Sequence, residues 1–396
     1  MRPLRLRHLS LVSCMGAGLP AHLAALRSGA SFLRPCRFET VDLPTYVGAI
    51  DALAAFELPD AFAAFDCRNN RLAEMALGQD GFAAAIADAV ERHGARRIGL
   101  FLGSSTSGIQ QAELAYDRRD AAGALPDAFD YARTHNTASL EFYLRERLGI
   151  AGPSFVVSCA CASTAKVFAT ASRSIAAGLC DAAIVGGADS LCRTTLYGFH
   201  ALGLNALGPC RPFDAARDGV SIGEAAGFAL LERPDGDPGG DGVRLLGVGE
   251  SNDAHHMSSP HPEGLGARLA MERALDAAGL VPADIDYINL HGTATRVGDA
   301  AEDLAVFGLF SDRTPCSSTK GQTGHTLGAA GIVESIICAL AIREGMLPGS
   351  PTTGAVDPSF RSRYQRTTEA APVATVMSNS FGFGGSNCSL IFGRER

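Results

Sequence analysis

The sequence predicts an α/β fold built from two pseudo-repeated halves, and three observations carry that expectation. Short aliphatic runs alternate with longer Ala-rich segments along most of the chain. A strand, a turn of small residues and an Ala-rich helix occur twice, once around Cys161 and once around His325. Between them lies Pro234-Asp235-Gly236-Asp237-Pro238-Gly239-Gly240-Asp241-Gly242, a solvated loop that separates a half over 1–237 from a half over 238–396.

Taken in order, residues 9–12 read as a strand and 20–27 as a helix that stops near Gly29. Residues 35–66 scatter Pro and Phe without a period and are expected to be loops with short elements. Between 70 and 93, Leu72, Met75, Ala76, Phe82, Ile86 and Val90 recur at helical spacing, giving two helices broken at Gly78 or Gly81. Residues 97–102 form a strand entering Gly103-Ser104-Ser105-Thr106-Ser107-Gly108, which lacks the GxxxxGK spacing of a phosphate cradle. A polar excursion over 109–154 ends in a helix at 140–148. Then come the strand 155–157, the Cys161 turn and its helix, and buried strands at 182–187 and 228–231. The second half reads as strand 243–247, helix 266–278, strand 287–290, helix 300–307, a short strand near 316–318, a helix ending at Arg343 and a strand over 374–377.

Composition narrows the classes. The chain has 396 residues, 46% hydrophobic and 19% charged, which suits a soluble globular protein with a sizeable core. Its formal net charge of -8 argues against sequence-independent nucleic-acid binding, so an acidic partner would need a local basic patch. The 11 cysteines show no CxxC pairs and no Cys/His metal spacing, which points to reduced thiols and a cytosolic home. The basic, apolar start at Met1-Arg2-Pro3-Leu4-Arg5 dissolves into Gly16-Ala17-Gly18 and reads as a first strand and helix rather than a signal peptide. The long uncharged run over 370–393 carries serines, asparagines and glycines whose polar groups lipid would leave unsatisfied, so no membrane span is expected.

In Ser158-Cys159-Ala160-Cys161-Ala162-Ser163, a β-branched run gives way to a buried helix, and Cys161 is expected to start that helix while Cys159 stays in the strand end as a packing residue. Unpaired N–H groups and the helix dipole there favour a thiolate, lowering a cysteine pKa from about 8.5 toward neutrality. A single cysteine needs a partner, and His291 and His325 stand in Gly/Thr-rich loops of matched context just beyond strand ends. Open α/β sheets assemble ligand sites there, so all three are candidates for one cleft. Lys320 sits among small neutral residues, and a buried ammonium needs a carboxylate; Glu334, about two and a half turns along the next helix, is the acid available before Arg343. Near the C-terminus, Asn379-Ser380-Phe381-Gly382-Phe383-Gly384-Gly385-Ser386-Asn387 offers N–H donors on glycine-freed backbone beside a mobile Phe383.

Five stretches, over 158–165, 217–227, 291–295, 317–331 and 378–387, together resemble the β-ketoacyl-acyl-carrier-protein synthases, the elongating condensing enzymes of fatty-acid and polyketide synthesis in the thiolase superfamily. The resemblance implies a thiolase-like fold with a layered αβαβα core. It makes Cys161 the acyl-accepting nucleophile, His291 and His325 the pair completing a Cys-His-His site, Lys320 its supporting lysine and Glu334 the acid near it. Thr293 and Thr295 match hydroxyls along the incoming phosphopantetheine arm, and Phe381 and Gly384 fall among the substrate-binding positions. Phe383 matches the gating aromatic, whose N–H forms the oxyanion hole with that of Cys161. Arg68, Arg71 and Arg211 resemble basic residues that meet the acidic acyl-carrier protein.

The implied reaction is decarboxylative condensation of an acyl-enzyme with malonyl carrier protein, with no metal or redox cofactor. The implied assembly is a homodimer or a heterodimer with a chain-length partner. This chain departs from the family pattern at its degraded first strand and turn, at Ala225 in place of a glycine, and at Cys159. Two other readings are a non-catalytic chain-length partner, against which stand Cys161 and both histidines, and a thiolase or acyltransferase acting on coenzyme A thioesters. Thiolases use a second cysteine as acid/base, whereas a His-His pair with Lys320 points to decarboxylating condensation.

Overall fold

The structure, a computed structural model, describes residues 1–234 and 242–394. The expected boundary at 237/238 lies outside the described residues. The first half contributes β1 (Leu4–Ser13), β2 (Ile98–Gly103), β3 (Ser154–Val157), β4 (Ala182–Asp189) and β5 (Ala225–Glu232). The second contributes β6 (Val243–Asn252), β7 (Tyr287–Asn289), β8 (Cys316–Ser317), β9 (Thr375–Gly382) and β10 (Ser386–Arg394).

These ten strands hydrogen-bond in the order β8-β7-β9-β10-β6-β1-β5-β4-β2-β3. Read outward from the centre, the halves follow one plan. β1 pairs antiparallel with β5 and β5 with β4, after which β4, β2 and β3 run parallel. Likewise β6 pairs antiparallel with β10 and β10 with β9, after which β9, β7 and β8 run parallel. The repeat legible around Cys161 and His325 is therefore a repeat of whole half-sheets. They join through an antiparallel contact between β1 and β6, where Leu4, Arg5 and Leu6 face Leu245, Arg244 and Val243.

The helices longer than two turns are α1 (Leu19–Ser28), α2 (Arg68–Leu77), α3 (Phe82–His93), α4 (Ile109–Asp117), α5 (Ser139–Leu148), α6 (Ser163–Ala176), α7 (Arg193–Ala201), α8 (Leu265–Ala278), α9 (Arg296–Phe310) and α10 (Ala330–Glu344). The central core joins Val167 and Phe168 of α6 and Ile336 and Ile337 of α10 to Leu11 and Leu231 from one half-sheet and Leu390 and Phe392 from the other. Every residue of α10 from Ala330 to Ile342 is buried, which is why the helix is apolar all round rather than striped. Outside the first half-sheet, Leu72, Phe82 and Leu144 of α2, α3 and α5 cover Leu100, Ile184 and Phe228. Outside the second, Met271 and Val306 of α8 and α9 cover Ile288, Met377 and Ile391. The layers run α, β, α, β, α.

Among the boundaries that differ from expectation, three bear on the site. β9 runs on to Gly382, because Ser378, Asn379 and Ser380 pair with Leu390, Ser389 and Cys388 of β10. α9 begins at Arg296, with Thr295 as N-cap. α10 begins only at Ala330, after a backbone reversal with Gly324 at φ 72° and Leu327 at φ 55°, so Glu334 stands just over one turn into its helix. Among the described residues no helix is long and apolar enough to cross a membrane.

Candidate active site

Cys161 stands two residues ahead of α6, whose N-cap is Ala162, so it precedes the helix instead of starting it. Cys159 lies beyond the end of β3 and is half-buried. Ala160 between them takes φ 47°, a left-handed conformation that costs an L-residue about 1–2 kcal/mol. Ser163 holds the turn: its Oγ donates to Ala160 O at 2.6 Å and accepts from Cys159 N at 2.9 Å. The end of β9 presses on the same turn, since a Cβ on Gly382 would meet Cys159 O at 3.0 Å. This contact brings the Phe383 N–H to the Cys161 sulfur.

His291 follows β7. Next to it, Gly292 takes φ 35°, and a Cβ there would lie 2.5 Å from Ser318 Cβ. Glu302 of α9 accepts from His291 N at 2.8 Å and Gly292 N at 2.7 Å, fixing the loop from below. Asp299, one turn earlier, accepts from Phe213 N at 2.7 Å and Ala294 N at 3.1 Å. The backbone of His325 is gripped by the stretch over 217–227: its N–H donates to Ser221 O at 2.7 Å and its carbonyl accepts from Gly223 N at 2.9 Å.

These supports bring the three expected residues together. His325 Nε2 lies 2.9 Å from Cys161 Sγ, and the two imidazole rings meet edge to face at 5.4 Å and 85°. Lys320, 1% exposed, pairs with the buried Glu334 and donates to the carbonyl of His291. Asp189 joins the halves beneath the site. Its carboxylate accepts from Ser104 Oγ, Ser105 N and Thr106 N at 2.8 Å each, and from Gly328 N at 2.5 Å, 139 residues further along.

Burial dominates the electrostatics. It pushes the Cys161 thiol up to about 12, against the pull of the Lys320 charge and the Phe383 N–H. The expected fall toward neutrality is not found, because the sulfur is almost wholly desolvated and stands outside the helix's first N–H groups. Burial, then the Lys320 charge, holds both His291 and His325 well below the usual imidazole range, so both are neutral at neutral pH. Burial raises Glu334 to about 7 against the pull of Lys320, and raises Glu302 to about 7 and Asp299 to about 6 against their N–H donors.

The triad opens into a cavity of about 300 Å³ also lined by Thr293, Thr295, Phe381 and Phe383. Thr293 and Thr295 hydroxyls lie 3.1 Å apart, Phe381 packs on His291 with centroids 5.9 Å apart, and Phe383 stacks on Phe199 at 5.7 Å and 19°. Gly384 departs from expectation: it is exposed, its N–H bonds Met257 O at 2.7 Å, and it is absent from the cavity lining formed by Gly382, Phe383 and Gly385. Arg68 departs too. It is held in a two-point ion pair with Glu224, whose side chain is fully buried, and only 13% of its own side chain is exposed. Arg71 pairs with Asp66, and the Arg211 side chain is 40% exposed with Asp218 at 3.8 Å. Sequence reasoning missed Asp189, Asp299, Glu302 and Phe199; of these, only the Asp299/Glu302 spacing at the start of a helix after His291 left a trace.

The Cys161, His291 and His325 ligand atoms lie within 4.8 Å of one another and could hold a metal, the one such group among the described residues.

Over residues 23–235 the chain matches the N-terminal domain of β-ketoacyl synthases, and over 243–353 their C-terminal domain. The chain belongs to the β-ketoacyl synthase family. It is 41% identical over 264 residues to the mitochondrial 3-oxoacyl-[acyl-carrier-protein] synthase of Arabidopsis thaliana, a match spanning 62% of this chain and 57% of that protein. It is 38% identical over 316 residues to 3-oxoacyl-[acyl-carrier-protein] synthase 2 of Rhizobium meliloti, covering 75% and 74% of the two chains. Among solved structures, a chain of the complex between a ketosynthase and its chain length factor from Xenorhabdus doucetiae superposes with a TM-score of 0.90 at 36% identity, covering 99% of this chain and 98% of that one. A β-ketoacyl synthase from Burkholderia phymatum gives 0.88 at 27% identity with both chains fully covered. The fold is that of the thiolase-type ketosynthases, and the enzyme class is that of acyltransferase-type condensing enzymes.

Proposed function

We propose that this enzyme condenses an acyl group held on Cys161 with malonyl-acyl-carrier protein, releasing CO2 and a 3-oxoacyl-carrier protein two carbons longer. The observation that carries this reading is the 2.9 Å approach of His325 Nε2 to Cys161 Sγ, with His291 edge-on beside it at the floor of the cavity. In the first half-reaction the Cys161 sulfur attacks an acyl thioester. Its proton passes by way of His325 Nε2 to the departing pantetheine sulfur, and the Cys161 and Phe383 N–H groups receive the tetrahedral oxyanion. A thiol held near 12 at rest keeps the nucleophile protonated until a substrate carbonyl arrives. In the second half-reaction the malonyl group loses CO2, and a neutral imidazole, His291, donates its ring N–H to the enolate oxygen. The enolate carbon then attacks the acyl thioester, and Cys161 leaves as the thiolate, which takes up a proton to restore the resting thiol.

Every charge-handling role is filled by a side chain or a backbone N–H, so the reading requires no metal or redox group. Carrier docking is assigned to Arg71 and Arg211 around the acidic partner. A second copy, or a chain-length partner, is assigned to the free edge at β3, where Phe155 is 45% exposed and open strand hydrogen-bonding groups need cover. Described cysteines are all unpaired, which supports a reducing, cytosolic setting. The test is incubation with acyl- and malonyl-carrier protein: CO2 and a two-carbon-longer product are expected, and elongation by Cys161→Ala would sink the reading.

A further inference from the structure

We propose that Arg296 binds the phosphodiester at the carrier end of the pantetheine arm and so fixes how far the arm enters; this rests on the condensing reading above. The loop from His291 onward climbs from floor to mouth. Thr293 is 9% exposed, Thr295 is half-buried, Arg296 is exposed and Val297 is 55% exposed, and all of them line the cavity that holds Cys161. Arg296 is the first residue of α9, and its backbone is fixed by Arg217, whose Nη2 donates to the Arg296 carbonyl at 3.1 Å.

The guanidinium of Arg296 has no hydrogen-bond or ion-pair partner among the described residues, and it is the one fixed cation in the cavity lining. None of the acids that share the lining pairs with it. Glu302 accepts from His291 N and Gly292 N, Asp253 from Asn387 Nδ2 at 2.8 Å and His261 N at 3.1 Å, and Asp218 from Leu207 N at 3.2 Å. A pantetheine arm is neutral along its length and carries its charge at the phosphodiester. The cavity offers the same arrangement in reverse: hydroxyls and neutral imidazoles inside, one unpaired cation at the mouth. A guanidinium fork matches two phosphate oxygens through parallel N–H bonds.

The experiment compares two small extender donors, malonyl-phosphopantetheine and malonyl-pantetheine, on enzyme already acylated at Cys161. Wild type is expected to use the phosphorylated donor with kcat/KM about fivefold higher, expressed in KM and shrinking as salt rises, as a partly exposed charge pair should. Arg296→Ala is expected to bring that ratio to about one, and Arg296→Lys to keep part of it. Equal use of the two donors by wild type, or an Arg296→Ala variant that lowers both equally, overturns the proposal. Absence of condensation with either donor and with malonyl-carrier protein would instead overturn the condensing reading beneath it.

Discussion

Two turns of like design face each other across the cavity, and opposite means hold them. The Cys161 turn hangs from β3, a sheet edge with Phe155 exposed, and is shaped by a left-handed Ala160 and one serine hydroxyl. The His325 turn is buried on every side, gripped by Ser221 and Gly223 and standing beside the Lys320–Glu334 pair. On the proposed condensing reading Cys161 must be reached by substrate and released again, and it sits on the lightly held turn. The His325 imidazole, which must stay neutral and aimed, is set in the heavily buried one.

Substitutions test that division, beginning with the largest effect. Cys161→Ala removes the atom that bears the acyl group, so intact-mass analysis after incubation with acyl-carrier protein should show no adduct and condensation should fall by about a thousandfold or more. Lys320→Met leaves the Glu334 carboxylate buried alone and should cost about 3–5 kcal/mol in denaturant unfolding, while Lys320→Met with Glu334→Leu should recover most of it. If the single change proves harmless, the His325 side is not held by charge. His291→Ala should raise the barrier to decarboxylation by about 3 kcal/mol, read as CO2 release from malonyl-carrier protein, with acylation of Cys161 still detectable.

The pH dependence of stability follows from Glu302, whose folded pKa is raised from 4.5 to about 7. An acid raised on folding adds stability that is fully present below its unfolded pKa and lost as pH rises through its folded one. Glu302→Gln should therefore lose less stability than wild type between pH 4.5 and 7, by about 2–3 kcal/mol in paired denaturation curves. Ala160→Gly should be the mildest change. It relieves a left-handed alanine at the cost of unfolded-chain entropy, and the net shift should stay within about 1 kcal/mol.

Local signals made the half-repeat, the strands and the triad readable. Cys161, His291 and His325 each sit in a turn of small residues after a β-branched run, and such turns announce themselves within ten residues. What stayed hidden depends on partners far along the chain. Arg68 reads as a docking cation because its partner Glu224 is 156 residues away, and Asp189 drew no expectation because its carboxylate is used by residues 83 to 139 positions distant. The expected thiolate at Cys161 failed for a related reason: a helix end is visible in sequence, but the depth at which it is buried is not.

Asp189 also sets an order of events during synthesis. Cys161 precedes His325 by 164 residues, an interval of about 8–33 s at ribosomal rates of roughly 5–20 residues per second. For that time the nascent chain carries a thiol with no base, and the Asp189 carboxylate awaits the amide of Gly328. The half-sheet can close around α6 before then, yet reactivity cannot switch on until the second half docks and supplies both groups. Chemical competence is thus a late property of the growing polypeptide.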